Sequence, residues 1–336
     1  MNIYPPDSII LAPLSGYTDL PYRHSARRHG CEYAFTEMID AGSIAYSNEK
    51  THIMLTRAPD EKWLGVQLVG SCPERITKAV EVINRHEFDV LDFNLGCPVK
   101  KVAKKGAGAA LGSQPDKAAK LLELIVNKSR HPVTAKIRIL DENDPEPTLY
   151  LARLLENAGA QAITIHGRIK KVFYSGPVFF DIIKAVRETV NIQVIANGGV
   201  MDKSSYTQLK ERTGCDCVML ARGAMGNPWL FDELRRDDYT PPDALEFAAE
   251  IYEHVAEMTL QYGEELAMKV ARKIILDYLK GRGYPKSLKP EVSFICTLEQ
   301  FLEFTEKLKA GPADRYWTWL NASGSAERVL RKMTGA

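Results

Sequence analysis

The stretch Val90-Leu91-Asp92-Phe93-Asn94-Leu95-Gly96-Cys97-Pro98 begins as a buried strand and stops abruptly. Val90 and Leu91 open a short apolar run, Asn94 ends it, and Gly96, Cys97 and Pro98 make the turn beyond. A lysine- and glycine-rich loop, Val99 to Gly108, follows directly. A cysteine at the mouth of a buried strand, beside a basic loop, is a candidate for chemistry on an anionic partner. The competing reading is a small buried hydrophobe, a common state of free cysteine.

The same pattern recurs along the chain. Strands are expected at Ile9–Ala12, Tyr33–Thr36, Gly65–Val69, Val90–Asn94, Val133–Ile137, Ala162–Ile165, Gln193–Ala196 and Cys217–Leu220. Amphipathic helical stretches lie between them, among them Pro73–Asn84, Pro115–Asn127, Thr148–Asn157, Phe179–Thr189 and Ser204–Arg212. This alternation predicts an α/β fold, a closed (β/α)8 TIM barrel, in preference to an open doubly wound sheet. The doubly wound alternative lacks its glycine fingerprint: Leu11-Ala12-Pro13-Leu14 stands where GxGxxG would follow the first strand.

Polar and glycine residues cluster just after these strands: Ser15-Gly16, Glu37, Gln67, Asn94 with Cys97, Lys136 with Arg138, His166 with Arg168, Asn197-Gly198-Gly199, and Arg222-Gly223. In a barrel they share the carboxyl face, where such folds keep their sites. Asp237-Asp238-Tyr239-Thr240-Pro241-Pro242 is a polar, proline-marked break. It divides a barrel domain, residues 1–238, from a small C-terminal helical bundle, residues 239–336. Helical periodicity there covers Pro242–Tyr262, Glu264–Leu279 and Leu298–Lys309, with a last segment near Ser325–Lys332.

Bulk properties narrow the function classes. The chain has 336 residues, 45% hydrophobic and 26% charged, enough to bury a large core. A formal net charge of +1 carries no global commitment to nucleic acid, so any such binding needs a local patch. Cysteines 31, 72, 97, 215, 217 and 296 are scattered without zinc spacing, and no carboxylate–histidine cluster suggests a metal. Cys215 and Cys217 read as buried core thiols. No apolar run reaches the roughly 18 residues that span a membrane, and Met1 to Asp7 does not resemble a signal peptide. The expectation is a cytoplasmic, monomeric protein in a reducing compartment.

Gly198-Gly199 after the seventh strand and Arg222-Gly223 after the eighth offer backbone amides and a cation where barrels usually hold phosphate. Ordinary turn glycines with a surface arginine are the plainer alternative. Lys136 and Arg138 share strand parity and can both face the interior, where buried cations require an anionic partner or ligand. An internal salt bridge for Lys136 and a structural role for His166 stay open. Gln67 has the paired donor and acceptor that reads the amide edge of a heterocycle. Lys100, Lys101, Lys104 and Lys105 lie beside Cys97, and Lys170-Lys171 follow Arg168. In the tail, Lys269, Arg272 and Lys273 fall on one helical face, with Arg282, Lys286 and Lys289 after them. Each run can be a solvated surface. Together they can line a groove for a phosphate backbone, with Tyr278, Tyr284 and Phe294 stacking or packing nearby.

At this point the chain resembles the tRNA-dihydrouridine synthases, most of all their bacterial B-type branch, over almost all of residues 8–290. The resemblance is carried by LAPLSGYTDLPYR (11–23), TEM (36–38), VQLVG (66–70), DFNLGCPVKKVAKKGAGAAL (92–111), VTAKIR (133–138), ITIHGR (163–168), VIANGG (194–199) and LARGAMGNPWLF (220–231). It implies an FMN-containing barrel, a helical domain that helps hold tRNA, and NADPH or NADH as reductant. It implies that Cys97 donates a proton to C5 of the uracil while hydride from flavin N5 reaches C6. Gln67, Lys136 and His166 would surround the flavin ring, with Pro13 and Leu14 against it. Asn197, Gly198 and Gly199, with Ala221, Arg222 and Gly223, would cradle its phosphate. Asn94 and Arg168 would meet the substrate and Arg138 the substrate or the flavin, with Lys100, Lys101, Lys269, Arg272 and Lys273 along the RNA. The chain departs from the family pattern at Gly199, where an acidic residue is common, at Ala221, where glycine is, and at Ile169, where threonine is. Two rival functions remain at this level: a flavin reductase of a small molecule, and a non-catalytic RNA-binding protein on the same scaffold.

Overall fold

The computed structural model describes residues 2–45 and 49–313. Eight parallel strands close into a barrel in strict sequence order. They are β1 (Ile9–Leu11), β2 (Tyr33–Asp40), β3 (Leu64–Val69), β4 (Val90–Asn94), β5 (Val133–Arg138), β6 (Ala162–His166), β7 (Gln193–Asn197) and β8 (Cys217–Leu220). β8 returns to β1 through the pairs Ile9 with Val218, Ile10 with Met219 and Leu11 with Leu220. The barrel expected from the alternation is therefore the fold, with a helical region after it.

Both faces of these strands are covered, so they are apolar almost throughout, as parallel strands require. β1, β3, β4, β6 and β8 are buried at every position. One end of the interior is filled by Tyr4, Ile10, Ala12, Phe35, Val90, Ala162, Ile195, Cys217 and Met219. Cys215 and Cys217 are core thiols, as their setting suggested. Gly65 on β3 makes room for this packing: a Cβ there would sit 2.3 Å from the Phe35 ring. Outside, helix Pro73–Ile83 buries Ile76, Ala79, Val80 and Ile83, an i, i+3, i+4, i+7 stripe that opens on a proline fit for the first turn. Helix Pro115–Lys128 repeats the device with Ala118, Leu121, Leu122 and Ile125. Each fully buried aliphatic side chain is worth about 1.5–3 kcal/mol.

The chain divides into two compact units. The first holds residues up to Leu20, Glu32–Val200 and Tyr206–Ala221. The second gathers Pro21–Cys31, Met201–Ser205 and the chain from Arg222 onward. Its helices include Leu20–Arg28, Ala244–Tyr262, Glu264–Leu279 and Leu298–Leu308. Asp243 starts the longest with a capping box: its carboxylate accepts from the Leu245 and Glu246 amides, while Glu246 accepts from the Asp243 amide. Helix Leu20–Arg28 carries no strong hydrophobic pattern, and periodicity did not mark it. It nevertheless buries Tyr22, Arg23, Ser25 and Ala26. The helical segment expected near Ser325–Lys332 lies outside the described residues.

Within the second unit, Glu250 is a buried hub. Its carboxylate accepts from Ser25 Oγ at 2.6 Å and from Arg28 Nη2 at 2.8 Å, and His29 Nε2 lies 2.9 Å away. Burial pushes this carboxyl up, yet the hydrogen bonds of His29, Arg28 and Ser25 outweigh it and hold the group at about 2. Ser25 Oγ also meets the Tyr278 hydroxyl at 3.0 Å, which reaches His254 Nδ1 at 3.1 Å. His254 is wholly buried, and burial lowers it to about 3, so the ring is neutral. Among the described residues, no helix is long and apolar enough to cross a membrane.

Candidate active site

Strand parity builds the site. Asp92 and Asn94, two apart on β4, pair in the ladder with Thr134 and Lys136 on β5, and Asp92 pairs with Gln67 on β3. Gln67 lies within β3 and not at its end, the position expected of it, because the strand runs on to Val69. It is fully buried, and its amide is engaged at both ends: Nε2 donates to Asp92 at 2.7 Å and Oε1 accepts from Asn94 Nδ2 at 2.8 Å. Thr134 Oγ1 donates to the other oxygen of Asp92 at 2.7 Å.

Asn94 turns the chain at the strand end. Its Oδ1 accepts the Gly96 amide at 3.1 Å and the Cys97 amide at 2.9 Å, an Asx-type turn that fixes the backbone at the cysteine. The Cys97 carbonyl accepts the Ala109 amide at 2.9 Å, closing the loop back on itself. Lys100 and Lys101 stand on its exposed side. Cys97 itself is partly buried. Burial pushes its thiol up, against the Val99 amide and the charges of Arg138 and Lys136, so it keeps its proton at neutral pH.

Lys136 Nζ donates to Asn197 Oδ1 at 2.8 Å, and Asn197 Nδ2 donates to the Met219 carbonyl at 2.7 Å. Burial lowers the lysine pKa and Arg138 lowers it further, while Asp92 and Cys97 pull it back up. Asp92 moves the other way: burial raises it, against hydrogen bonds from Gln67 and Thr134 and the charge of Lys136. Arg138 is buried and reaches two loops, with Nε on the Gly96 carbonyl at 2.7 Å and Nη1 on the Phe173 carbonyl at 2.6 Å. Its guanidinium also lies 5.3 Å from the Tyr174 ring centre. His166 ends β6, with Nε2 3.3 Å from Arg168 Nη1, and Arg168 Nε donates to the Gly176 carbonyl at 3.0 Å. Both residues are buried.

Gly198 has φ +131°, and a Cβ there would meet the His166 ring at 3.0 Å. Gly199 has φ +79°. Only glycine keeps this backbone relaxed and fits against His166 and Val178, which fill the space a Cβ would take. Pro13 and Leu14 are half-buried after β1, and Leu14 and Ala221 pack against the barrel core.

The first unit thus brings together Gln67, Asn94, Cys97, Lys136, Arg138, His166, Arg168, Asn197, Gly198 and Gly199. Arg222 and Gly223 belong to the second unit, as do the three tail cations. Lys269 is exposed and donates to Glu265 at 2.6 Å, and Lys273 is exposed. Arg272 differs from its neighbours: its guanidinium folds onto the Ile295 carbonyl at 3.3 Å, and its Nε is buried. Tyr278 is a core residue, whereas Phe294 is 79% exposed. Sequence reasoning passed over Asp92 and Thr134. The signal was an acid inside an otherwise apolar strand, where a buried charge needs partners.

A family model described as dihydrouridine synthase matches residues 10–310. The tRNA-dihydrouridine synthase B of Pasteurella multocida is 34% identical over 278 residues, 81% of this chain and 84% of that protein. The tRNA-dihydrouridine synthase B of Vibrio parahaemolyticus is 35% identical over 279 residues, 82% and 87% of the two chains. That of Vibrio cholerae is 33% identical over 305 residues, 89% and 95% of the two chains. With a family model that covers most of its length and relatives that span it at a third identity, the chain belongs to the dihydrouridine synthase family.

Proposed function

We propose that the protein reduces uridines of tRNA to 5,6-dihydrouridine, with FMN as resident cofactor and NADPH or NADH as electron source. The observation that carries this reading is Cys97, a protonated thiol locked by Asn94 near the half-buried Lys136. Family membership supplies the reaction class.

The residues suit an anionic, ring-bearing cofactor. Lys136 sits in the barrel interior with a neutral amide, Asn197, as its hydrogen-bond acceptor, so an added anion would restore the charge that burial disfavours. The positive-φ backbone at Gly198 and Gly199, just after β7, offers main-chain amides of the kind that cradle a phosphate. FMN, when bound, supplies the hydride that adds to C6 of the uracil ring.

The chain's own groups do the rest. Cys97 holds a proton on Sγ for C5, so the C5–C6 double bond becomes single as one hydride and one proton are added. That proton relieves the negative charge that builds toward O4 during hydride addition. The resulting thiolate regains its proton from solvent. Lys136 offsets negative charge on the cofactor ring. Arg138 ties the Cys97 turn to the loop at Phe173, which holds the acid in place. A target uridine must leave its stack to reach the interior of a barrel. Exposed Lys100 and Lys101, and Lys269 and Lys273 on the helical unit, supply charge for the RNA backbone.

The test is direct. Purified protein supplied with FMN, NADPH and tRNA lacking dihydrouridine should form that nucleoside, seen by mass spectrometry of digested RNA. No product with either NADPH or NADH sinks the proposal.

A further inference from the structure

Asp92 is buried at the middle of β4, yet neither the hydride nor the proton step uses it. Two donors hold it, Gln67 Nε2 and Thr134 Oγ1, each at 2.7 Å. An ionised carboxylate can only accept hydrogen bonds. Gln67 must therefore turn its NH2 toward Asp92 and its carbonyl toward Asn94. Asn94 must in turn donate its NH2 to Gln67, at 2.8 Å. That leaves Asn94 Oδ1 aimed at the Gly96 and Cys97 amides, which it accepts at 3.1 and 2.9 Å. Every link has one sense of donation, fixed by the carboxylate at one end and by the two backbone N–H groups at the other.

We propose that Asp92 is a positioning residue for Cys97: its acceptor-only carboxylate orients the amides of Gln67 and Asn94 and so fixes the backbone that carries the thiol. The role rests on reading Cys97 as the proton donor, but the geometry it explains does not.

An amide at position 92 removes the constraint at that end and leaves the two backbone N–H groups alone to hold the sense. In Asp92→Asn, Gln67 and Asn94 can both reverse, and a reversed Asn94 sets its NH2 against two backbone N–H groups. The turn then loses its cap. Moving the carboxylate one link along restores the polarity. In the double variant Asp92→Asn, Gln67→Glu, the glutamate accepts from both neighbours, so Asn94 again donates and caps the cysteine turn.

The experiment compares full-length parent, single and double variants. It measures alkylation of Cys97 by iodoacetamide, followed on its own peptide so that Cys72 and Cys296 do not contribute, together with the melting temperature and kcat and KM on tRNA. The single variant should alkylate Cys97 about tenfold faster and lose about ten- to hundredfold in kcat, with KM within about threefold of the parent. The double variant should return alkylation and melting toward the parent. A single variant that fails to fold beside a double variant that folds supports the relay equally. Parental alkylation in the single variant overturns it, as does a double variant no closer to the parent than the single, or unfolded. Alkylation and melting need neither flavin nor RNA, so they judge Asp92 even if the uridine-reduction reading falls.

Discussion

Two buried carboxylates stand at the centres of two networks, Asp92 in the barrel and Glu250 in the helical unit, and they are treated in opposite ways. Glu250 is saturated by Ser25, Arg28 and His29 and is held far below the ordinary carboxyl range. Asp92 accepts from two neutral groups, and burial pushes it upward. Lys136, near Asp92, is likewise pushed toward neutrality. A network finished within the protein stabilises. One left short of countercharge is suited to receive something, at a cost in stability.

The largest test of the barrel side is Cys97→Ala, which should lower dihydrouridine formation about 10²- to 10⁴-fold while flavin stays bound and reducible by NADPH. Product at the parental rate would remove Cys97 from the reaction. On the helical side, Glu250→Ala removes the acceptor shared by Ser25, Arg28 and His29, while Arg28 keeps Glu257, and should cost about 1–3 kcal/mol, read by denaturant unfolding. The same contrast fixes a pH signature. Glu250 drops on folding from its ordinary 4.5 to about 2. Its stabilisation is therefore complete above 4.5 and is lost as pH falls through that window. His254, lowered from 6.5 to about 3, also loses its contribution as pH falls across its own window. Glu250→Gln should flatten the lower part of the acid unfolding curve; an unchanged curve would deny Glu250 its role.

Lys136→Met probes the unfinished network and should weaken flavin retention about ten- to hundredfold, measured by fluorescence of released FMN. Equal retention would mean that the cation serves the barrel and not a ligand. The smallest effect is expected from Lys269→Ala with Lys273→Ala: the log–log salt slope of tRNA binding should shrink by about one to two. An unchanged slope would show that these lysines do not meet the RNA.

The barrel was legible because each strand is a short apolar run bounded by glycine, proline or polar residues, and the ladder then follows from closure. β2 was not fully legible: it continues past Thr36 through Glu37 and Met38 to Asp40, across a register shift that a polar sequence hides. Helix Leu20–Arg28 was illegible for a related reason, since Arg23 and Ser25 are buried by polar contacts and not by an apolar stripe. At the site, parity placed Lys136 and Arg138 on the same side of β5. It was silent on Asp92 and Thr134, whose roles arise only from partners on neighbouring strands. Arg272 shows the reverse error: charge periodicity marks it as exposed, and its guanidinium is turned in against a carbonyl.

Helix Leu20–Arg28 carries a consequence for how such chains can be recombined. Ser25, Arg28 and His29 precede β2 in sequence, yet they complete the Glu250 hub of the helical unit. A cut near residue 222 therefore yields no self-sufficient module: the tail fragment keeps Glu250 and forfeits its donors. Grafting this tail onto another barrel of the family requires more than one splice, one of them inside the first strand-to-strand crossover. Tail and crossover are a single inheritable part written in separate places along the chain.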